Sequence, residues 1–271
     1  MHGTAIGGQD DRDEMGICLE PPEFVTGLAR VPSGVRAEAA AQEGSEGVDG
    51  SAGQPGTVPF EQYQRHTVWD RPGGLANRSG AGDLDVVVYS MRKWCRLALA
   101  GNPTVLLVLF VPDDEVVVRD VVGCELVANA HRFVSRLAGD RFLGYLASQR
   151  ASMAGSSQRT NRPELIAAHG YDTKFAMHAL RLGVQGVELL RTGRITLPIA
   201  EPALSELRAI RRGEVPLKVA LRRIDETAAE LEELNRSSRV PDQPDRAWVD
   251  QFLHRTHLRY WADPDDKRFG D

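Results

Sequence analysis

Cysteine, long apolar runs and strong net charge are all scarce in this sequence. The three cysteines, Cys18, Cys95 and Cys124, lie far apart and form no CxxC pair, which argues against a disulfide framework or a zinc site. The longest apolar run, VLLVLFV at 105–111, is far below the roughly 20 residues that span a bilayer, and the first 20 residues hold no signal-peptide core. We therefore expect a cytoplasmic protein that does not contact membranes.

The charge balance is only mildly acidic. The 271 residues carry a net charge of −5 and are 42% hydrophobic, which is ordinary for a globular chain of one large or two small domains. Nothing in this balance indicates a broad nucleic-acid-binding surface. An anionic substrate would have to be bound by a local pocket.

Aromatic residues are absent from a segment rich in Gly, Ala, Ser and acidic residues. This segment, VPSGVRAEAAAQEGSEGVDGSAGQPGTVP at 31–59, cannot bury enough apolar surface to become ordered. We predict a disordered insertion at about 31–59.

The clearest secondary-structure signal is a strand that leads directly into a helix. LDVVVYS, at 84–90, is typical of a short buried strand, and Ser90 is a suitable cap for the helix that follows. An apolar face formed by Met91, Trp94, Cys95 and Ala98 and a glycine at 101 complete the helix pattern. The apolar run TVLLVLFV cannot be assigned by periodicity, and VVVRDVV at 116–122 suggests another short strand.

The remainder of the chain has helical patterns. Prolines and glycines separate helices predicted at about 121–137, 141–153, 170–192, 204–211, 216–235 and 245–261. We therefore expect an α/β domain over residues 1–118, which contains the insertion, and an α-helical region over 119–271.

The acidic segment DDRDE at 10–14 admits two interpretations. A solvated acidic turn is the commoner fate of such a cluster. However, Asp11 and Asp13 are two residues apart, so in extended chain both carboxylates point to one side, where they can share a hard cation.

Four metal-dependent classes use such a pair. A calcium loop that starts at Asp11 fails because Met15 and Pro22 occupy positions that need oxygen ligands. A nucleotide-sugar glycosyltransferase fits poorly, since only ten residues precede Asp11. A metal-dependent phosphohydrolase remains open as a remote alternative, although no dense second His/Asp cluster accompanies the pair.

The fourth class is the two-metal nucleotidyltransferase, which needs a further carboxylate on a neighbouring strand. DLDVVVYS supplies Asp83 and Asp85 at the entrance to the predicted strand. Two cations held by three carboxylates would activate an attacking hydroxyl and neutralise a departing pyrophosphate. Taken alone, Asp85 is more simply a strand-start residue, so the combination carries the argument.

Several segments together resemble a known family. GTAIGGQDDRDEMGI, FEQYQRHT, DVVVYSMRKWCRLALAGNPTVLLVLF and HGYDTKFAMHALRL are similar to the RlaP group, the RNA-repair-associated nucleotidyltransferases of the DNA polymerase β superfamily. The resemblance extends from Gly3 to about residue 200. It implies an α+β fold, in which a polymerase-β-like mixed sheet with helices is followed by an α-helical C-terminal region.

The family pattern implies roles for individual residues. Asp11 and Asp13 match the ligands of both metal ions, and Asp85 matches the third carboxylate, with Asp83 in reserve. The family's phosphate-binding Gly-Ser would precede the chain's first residues, so we expect the N-terminal strand to be missing and Gly3 and Thr4 to supply part of the phosphate-binding turn. A misplaced start or an inactive copy would account for this departure.

The helix predicted over 170–192 carries a narrow polar stripe. Tyr171, Lys174, His178 and Arg181 lie along it, while apolar residues cover most of the remaining circumference. Cations on a mostly buried helix are costly unless they meet an anion, which favours a triphosphate site. A solvent-facing stripe with extended Lys and Arg side chains is an equal alternative.

These observations lead to one main functional hypothesis. We expect a nucleotidyltransferase that uses two Mg²⁺ ions, or Mn²⁺, to transfer NMP from an NTP to an acceptor hydroxyl with release of pyrophosphate. The catalytic and metal-binding residues would be Asp11, Asp13 and Asp85. The acceptor, whether RNA, a small molecule or a protein, is left open. The alternative is a truncated, catalytically inactive nucleotide-binding or interaction protein derived from the same family.

Overall fold

The computed structural model describes residues 12–32, 57–74, 79–153 and 162–263. The predicted site residues Gly3, Thr4 and Asp11 lie outside these ranges, as do residues 33–56 of the predicted insertion. The two ends of the predicted insertion form strands rather than the expected disordered chain, since Val31 lies opposite Val58 in a short antiparallel ladder.

The described strands are short. They are β1 (Arg12–Cys18), β2 (Val31–Pro32), β3 (Thr57–Val58), β4 (Gln62–His66) and β5 (Leu84–Ser90). β1, β5 and β4 form a sheet in that order, with β5 in the centre. β1 runs parallel to β5, whereas β4 runs antiparallel to it.

Helices account for most of the remaining residues. They are α1 (Pro22–Val25), α2 (Met91–Leu99), α3 (Pro103–Leu106), α4 (Val121–Ala128), α5 (Arg136–Met153), α6 (Pro163–His169), α7 (Thr173–Thr192), α8 (Ala203–Arg211), α9 (Leu217–Ser237) and α10 (Arg246–Ala262). A small mixed sheet with helices, followed by a helical C-terminal region, confirms the predicted α+β class and agrees with a polymerase-β-like nucleotidyltransferase fold.

The predicted strand-to-helix transition is confirmed. β5 ends at Ser90, whose hydroxyl caps α2 by accepting a hydrogen bond from the Lys93 backbone N–H (3.2 Å). The predicted apolar face of α2 is buried, with Trp94 and Cys95 fully inaccessible. Gly101 has φ of +74°, as expected of the residue that ends a helix.

Two predictions between residues 104 and 137 are wrong or incomplete. VVVRDVV forms no strand, because the carboxylate of Asp120 accepts the Gly123 N–H (2.7 Å) and starts α4 at Val121. The helix predicted over 121–137 instead ends at Ala128, and a 3₁₀ turn separates it from α5. The unassigned run TVLLVLFV consists of α3 and a second 3₁₀ turn, both buried.

The later helices lie close to their predicted positions and pack tightly on α7. A Cβ at Gly186 of α7 would lie 2.9 Å from the Leu231 side chain of α9 and 3.0 Å from Phe142 of α5. The glycine therefore allows three long helices to approach closely, and each fully buried Leu or Phe between them contributes about 1.5–3 kcal/mol.

The chain divides into two compact units. Within the described residues, the strand unit comprises residues 12–95 and 252–263, and the helical unit comprises residues 96–251. The end of α10 thus belongs to the same unit as the sheet. The domain boundary predicted after residue 118 stays a prediction. None of the helices in the described ranges is long and apolar enough to cross a membrane.

Candidate functional site

A row of polar residues crosses the sheet of the strand unit. Asp13 on β1 lies opposite Asp85 on β5, and Asp85 lies opposite His66 on β4. Residues in register on neighbouring strands point to the same face, and their backbones are about 4.8 Å apart. The sheet therefore brings together two of the three predicted carboxylates and adds a histidine that the sequence argument had not included.

The Asp85 carboxylate is held at both oxygens. The Ser79 hydroxyl donates to Oδ1 (2.6 Å), and Nδ1 of His66 lies 2.8 Å from Oδ2. The Asp85 side chain is 13% exposed and that of His66 is 19% exposed, so the pair is shielded yet open to a ligand. By contrast, Asp13 is exposed.

His66 has further neighbours that fix its ring. The Gln64 side-chain Nε2 lies 2.7 Å from His66 Nε2, and the Trp69 ring packs on the imidazole with centroids 4.3 Å apart. Gln64 lies two residues before His66 on β4, on the same face of the sheet. Trp69 follows in a 3₁₀ turn.

Asp83, the alternative to Asp85 as third carboxylate, is buried and binds neighbouring donors of the protein. Its side chain is 2% exposed and accepts hydrogen bonds from Arg71 (2.6 and 3.2 Å), Thr67 (3.2 Å) and the Gly80 N–H (3.0 Å). With four donors already on its two oxygens, Asp83 anchors the loop before β5, whereas Asp85 retains acceptor capacity.

The arrangement of Asp13 and Asp85 fits a hard divalent cation. Two carboxylates directly opposite each other on neighbouring strands repel unless positive charge lies between them. Carboxylate oxygens are the ligands that Mg²⁺ and Mn²⁺ prefer. The described residues contain no cluster of three His, Cys, Asp or Glu side chains suited to a metal, and the third predicted ligand, Asp11, lies outside them. The metal role of all three aspartates stays a prediction.

The polar stripe predicted on α7 lies in the helical unit. Lys174, His178 and Arg181 are half-buried, while most other positions of the helix are buried, as predicted. Tyr171 is fully buried and donates its hydroxyl to the Val215 carbonyl (2.6 Å), so it serves packing rather than ligand binding. Triphosphate binding by Lys174, His178 and Arg181 stays a prediction.

A second histidine–carboxylate pair lies within the strand unit and was missed in the sequence. His257 Nε2 on α10 lies 3.0 Å from the Glu20 carboxylate, and its Nδ1 lies 2.8 Å from the Leu253 carbonyl. The side chains are 6% and 2% exposed. Both ring nitrogens therefore face oxygen acceptors within the protein.

Glu20 is the negative member of this pair. Burial acts to raise its pKa, but the hydrogen bond from His257, the charge of His257, a backbone hydrogen bond and the Ser90 hydroxyl together hold the pKa below the ordinary value of 4.5. Trp261 Nε1 also donates to the Glu20 carbonyl (2.8 Å). No local sequence signal marks two residues that are 237 positions apart.

Comparison with known proteins adds one finding. The family model described as RlaP, RNA repair pathway DNA polymerase beta family, matches residues 2–255. The chain matches no curated protein and no solved structure.

Proposed function

The chain belongs to the RlaP family of the DNA polymerase β superfamily, and from this premise we propose that it is a metal-dependent nucleotidyltransferase. It would transfer NMP from an NTP to an acceptor hydroxyl and release pyrophosphate. The family match supports nucleotidyl transfer in general. The metal dependence and the roles of individual residues are the further content of the proposal.

The observation that carries the proposal is the placement of Asp13 opposite Asp85 on adjacent parallel strands. A two-metal nucleotidyltransferase needs carboxylates on neighbouring strands that point to one face, and this register provides them. Asp11, two residues before Asp13, matches the family pattern of a further metal ligand. We propose that Asp11, Asp13 and Asp85 hold two Mg²⁺ ions, with Mn²⁺ as a substitute.

The bound cations would supply charge neutralisation at the triphosphate and at the attacking oxygen. Asp85 accepts the proton that the acceptor hydroxyl loses as its oxygen bonds to the α-phosphorus. The bond from that phosphorus to the bridging oxygen then breaks, and pyrophosphate departs. Because Ser79 and His66 hold its two oxygens by one hydrogen bond each, Asp85 keeps a free lone pair on each for this proton or for a cation.

We also propose residues that bind the phosphates of the nucleotide. Lys174, His178 and Arg181 would contact the triphosphate, because they form a polar stripe on a helix whose other positions are mostly buried. Gly3 and Thr4 would provide backbone and hydroxyl donors to its phosphates.

A transfer assay tests the proposal. Wild-type protein is incubated with each α-³²P-labelled NTP, with Mg²⁺ or Mn²⁺, and with RNA, small-molecule or protein acceptors. We expect a labelled product that requires the divalent ion, and a rate at least about 100-fold lower for Asp85→Asn and Asp13→Asn, which is the usual loss when a positioned acid–base group is removed. Asp70→Asn, which changes an exposed carboxylate of the same unit, should retain the wild-type rate.

Two outcomes would contradict the proposal. If Asp85→Asn transfers NMP at the wild-type rate, the assignment of the carboxylates is wrong. If the wild type binds an NTP but transfers nothing to any acceptor, the chain is instead a nucleotide-binding protein without catalysis.

A further inference from the structure

We propose that His66 is a positioning residue for Asp85, which it holds in the one orientation that receives the cation and the acceptor proton. This inference rests on the proposed function and deepens it. His66 lies in FEQYQRHT, one of the segments that resemble the family, but the resemblance assigned it no role.

The pairing of β4 with β5 fixes the backbone of His66 directly beside that of Asp85. β4 and β5 are antiparallel, and the two residues are directly opposite each other in the ladder. Side chains at opposed positions on one face are close enough for direct contact. The resulting distance of 2.8 Å between Nδ1 and Oδ2 is that of a strong hydrogen bond to a charged acceptor.

The second ring nitrogen fixes which proton His66 carries. The Gln64 side-chain nitrogen can only donate, so His66 Nε2, at 2.7 Å, accepts from it. With Nε2 as an acceptor, the ring hydrogen is on Nδ1, where it points at Asp85. Gln64 thus selects the tautomer that His66 needs in order to bind the carboxylate.

The ring plane is also constrained. Trp69 packs on the imidazole at 4.3 Å between centroids, with an interplanar angle of 36°. Contacts from Gln64, Trp69 and Asp85 leave the ring little freedom to rotate. Ser79 holds the other oxygen of Asp85 at 2.6 Å, so the carboxylate is oriented before any ligand binds, which lowers the cost of ordering it on binding.

The experiment compares Mn²⁺ binding by full-length variants, followed through the electron paramagnetic resonance signal of free Mn²⁺. We expect His66→Ala to weaken binding by about 10- to 100-fold, the usual effect of removing the partner that orients a metal ligand. His66→Asn places an amide N–H close to the position of Nδ1, and its affinity should return to within about threefold of wild type. Arg65→Ala is the matched control, because Arg65 is adjacent on β4, exposed and on the opposite face.

Two further measurements separate positioning from folding. Thermal melting checks that His66→Ala remains folded, and His66→Asn provides a second variant if it does not. Nitrogen-15 NMR of the wild-type ring should show the Nδ1–H tautomer. In the transfer assay, His66→Ala should lower kcat and leave the KM for NTP within about threefold, since the side chain acts on Asp85 rather than on the nucleotide.

The outcomes distinguish this inference from the proposed function. If Asp85→Asn loses Mn²⁺ affinity while His66→Ala binds as tightly as Arg65→Ala, the role of His66 is overturned and the metal site stands. If wild type and Asp85→Asn bind Mn²⁺ equally, the metal site itself is overturned and the role of His66 falls with it. An Nε2–H tautomer in the wild type would also overturn the inference.

Discussion

The strand unit contains two histidine–carboxylate pairs that have similar distances but differ in exposure and in hydrogen-bond partners. His66–Asp85 lies across neighbouring strands, with side chains 19% and 13% exposed, whereas His257–Glu20 joins α10 to the segment after β1, with side chains 6% and 2% exposed. The partners of the second nitrogen also differ. His66 Nε2 faces an amide donor, and His257 Nδ1 faces a carbonyl acceptor.

This difference separates a pair suited to binding from a pair suited to holding the fold together. The carboxylate of the partly accessible pair can be reached by a ligand. The carboxylate of the buried pair is enclosed within the protein, where His257 contacts it and the indole of Trp261 donates to the Glu20 carbonyl. Under the proposed function, a histidine beside a carboxylate contributes to binding in one pair and to stability in the other, and the exposure of the two pairs differs accordingly.

The largest expected effect is on stability at the buried pair. Glu20→Ala leaves the buried His257 ring without its carboxylate partner, and we expect the free energy of unfolding to fall by about 3–5 kcal/mol. Urea denaturation followed by circular dichroism measures it. A loss below about 1 kcal/mol would show that the pair does not hold the strand unit together.

The second largest effect is expected in the pH dependence of stability, again at the Glu20–His257 pair. Because the pKa of Glu20 is lowered in the folded state, its carboxylate stabilises the protein above the ordinary value of 4.5, and this contribution is lost as the pH falls through the lowered value. We expect the unfolding free energy of wild type to decline more steeply below pH 4.5 than that of Glu20→Gln, in denaturation curves taken at successive pH values. Parallel slopes would contradict this assignment.

A smaller effect is expected at the indole that supports the same pair. Trp261→Phe keeps an aromatic ring beside His257 but removes the donor to the Glu20 carbonyl. The expected loss of unfolding free energy is about 1 kcal/mol, the usual value of one hydrogen bond. Leu258→Ala, which changes an exposed side chain of the same helix, is the control for general effects on the end of α10. An equal loss in both variants would argue against a specific role of the indole N–H.

The smallest effect on stability is expected at the partly exposed His66–Asp85 pair. Asp85→Asn retains an acceptor oxygen and a side chain of the same shape, so unfolding free energy should change by less than about 1 kcal/mol. Denaturant titration beside Glu20→Ala gives the contrast directly. If Asp85→Asn costs as much as Glu20→Ala, the distinction between a binding pair and a structural pair is wrong.

Local signals were sufficient to predict the strand and the helix at the centre of the candidate site. Three consecutive valines, a serine cap and helical spacing of apolar residues specified β5 and α2 from sequence. The carboxylate on β5 was predicted because its residue type and position suit a metal ligand, and pairing with β1 brought it opposite Asp13. That pairing brings together residues 72 positions apart, which no local pattern determines.

The parts that were missed lacked an apolar signature. β4 has the polar residues Gln62, Gln64 and His66 on its half-buried face, so it shows no apolar alternation. Its contribution to the site comes from hydrogen bonds rather than from packing. Likewise, the break between α4 and α5 contains neither Gly nor Pro, and Asn129 and a 3₁₀ turn end the helix instead.

The position of His257 bears on how the chain folds as it is synthesised. Glu20 is translated 237 residues before its partner, which at roughly 5–20 residues per second corresponds to a delay of roughly 10–50 s. Residues 96–251 of the helical unit are all made within that interval. The buried pair of the strand unit can therefore form only after this part of the helical unit has been synthesised.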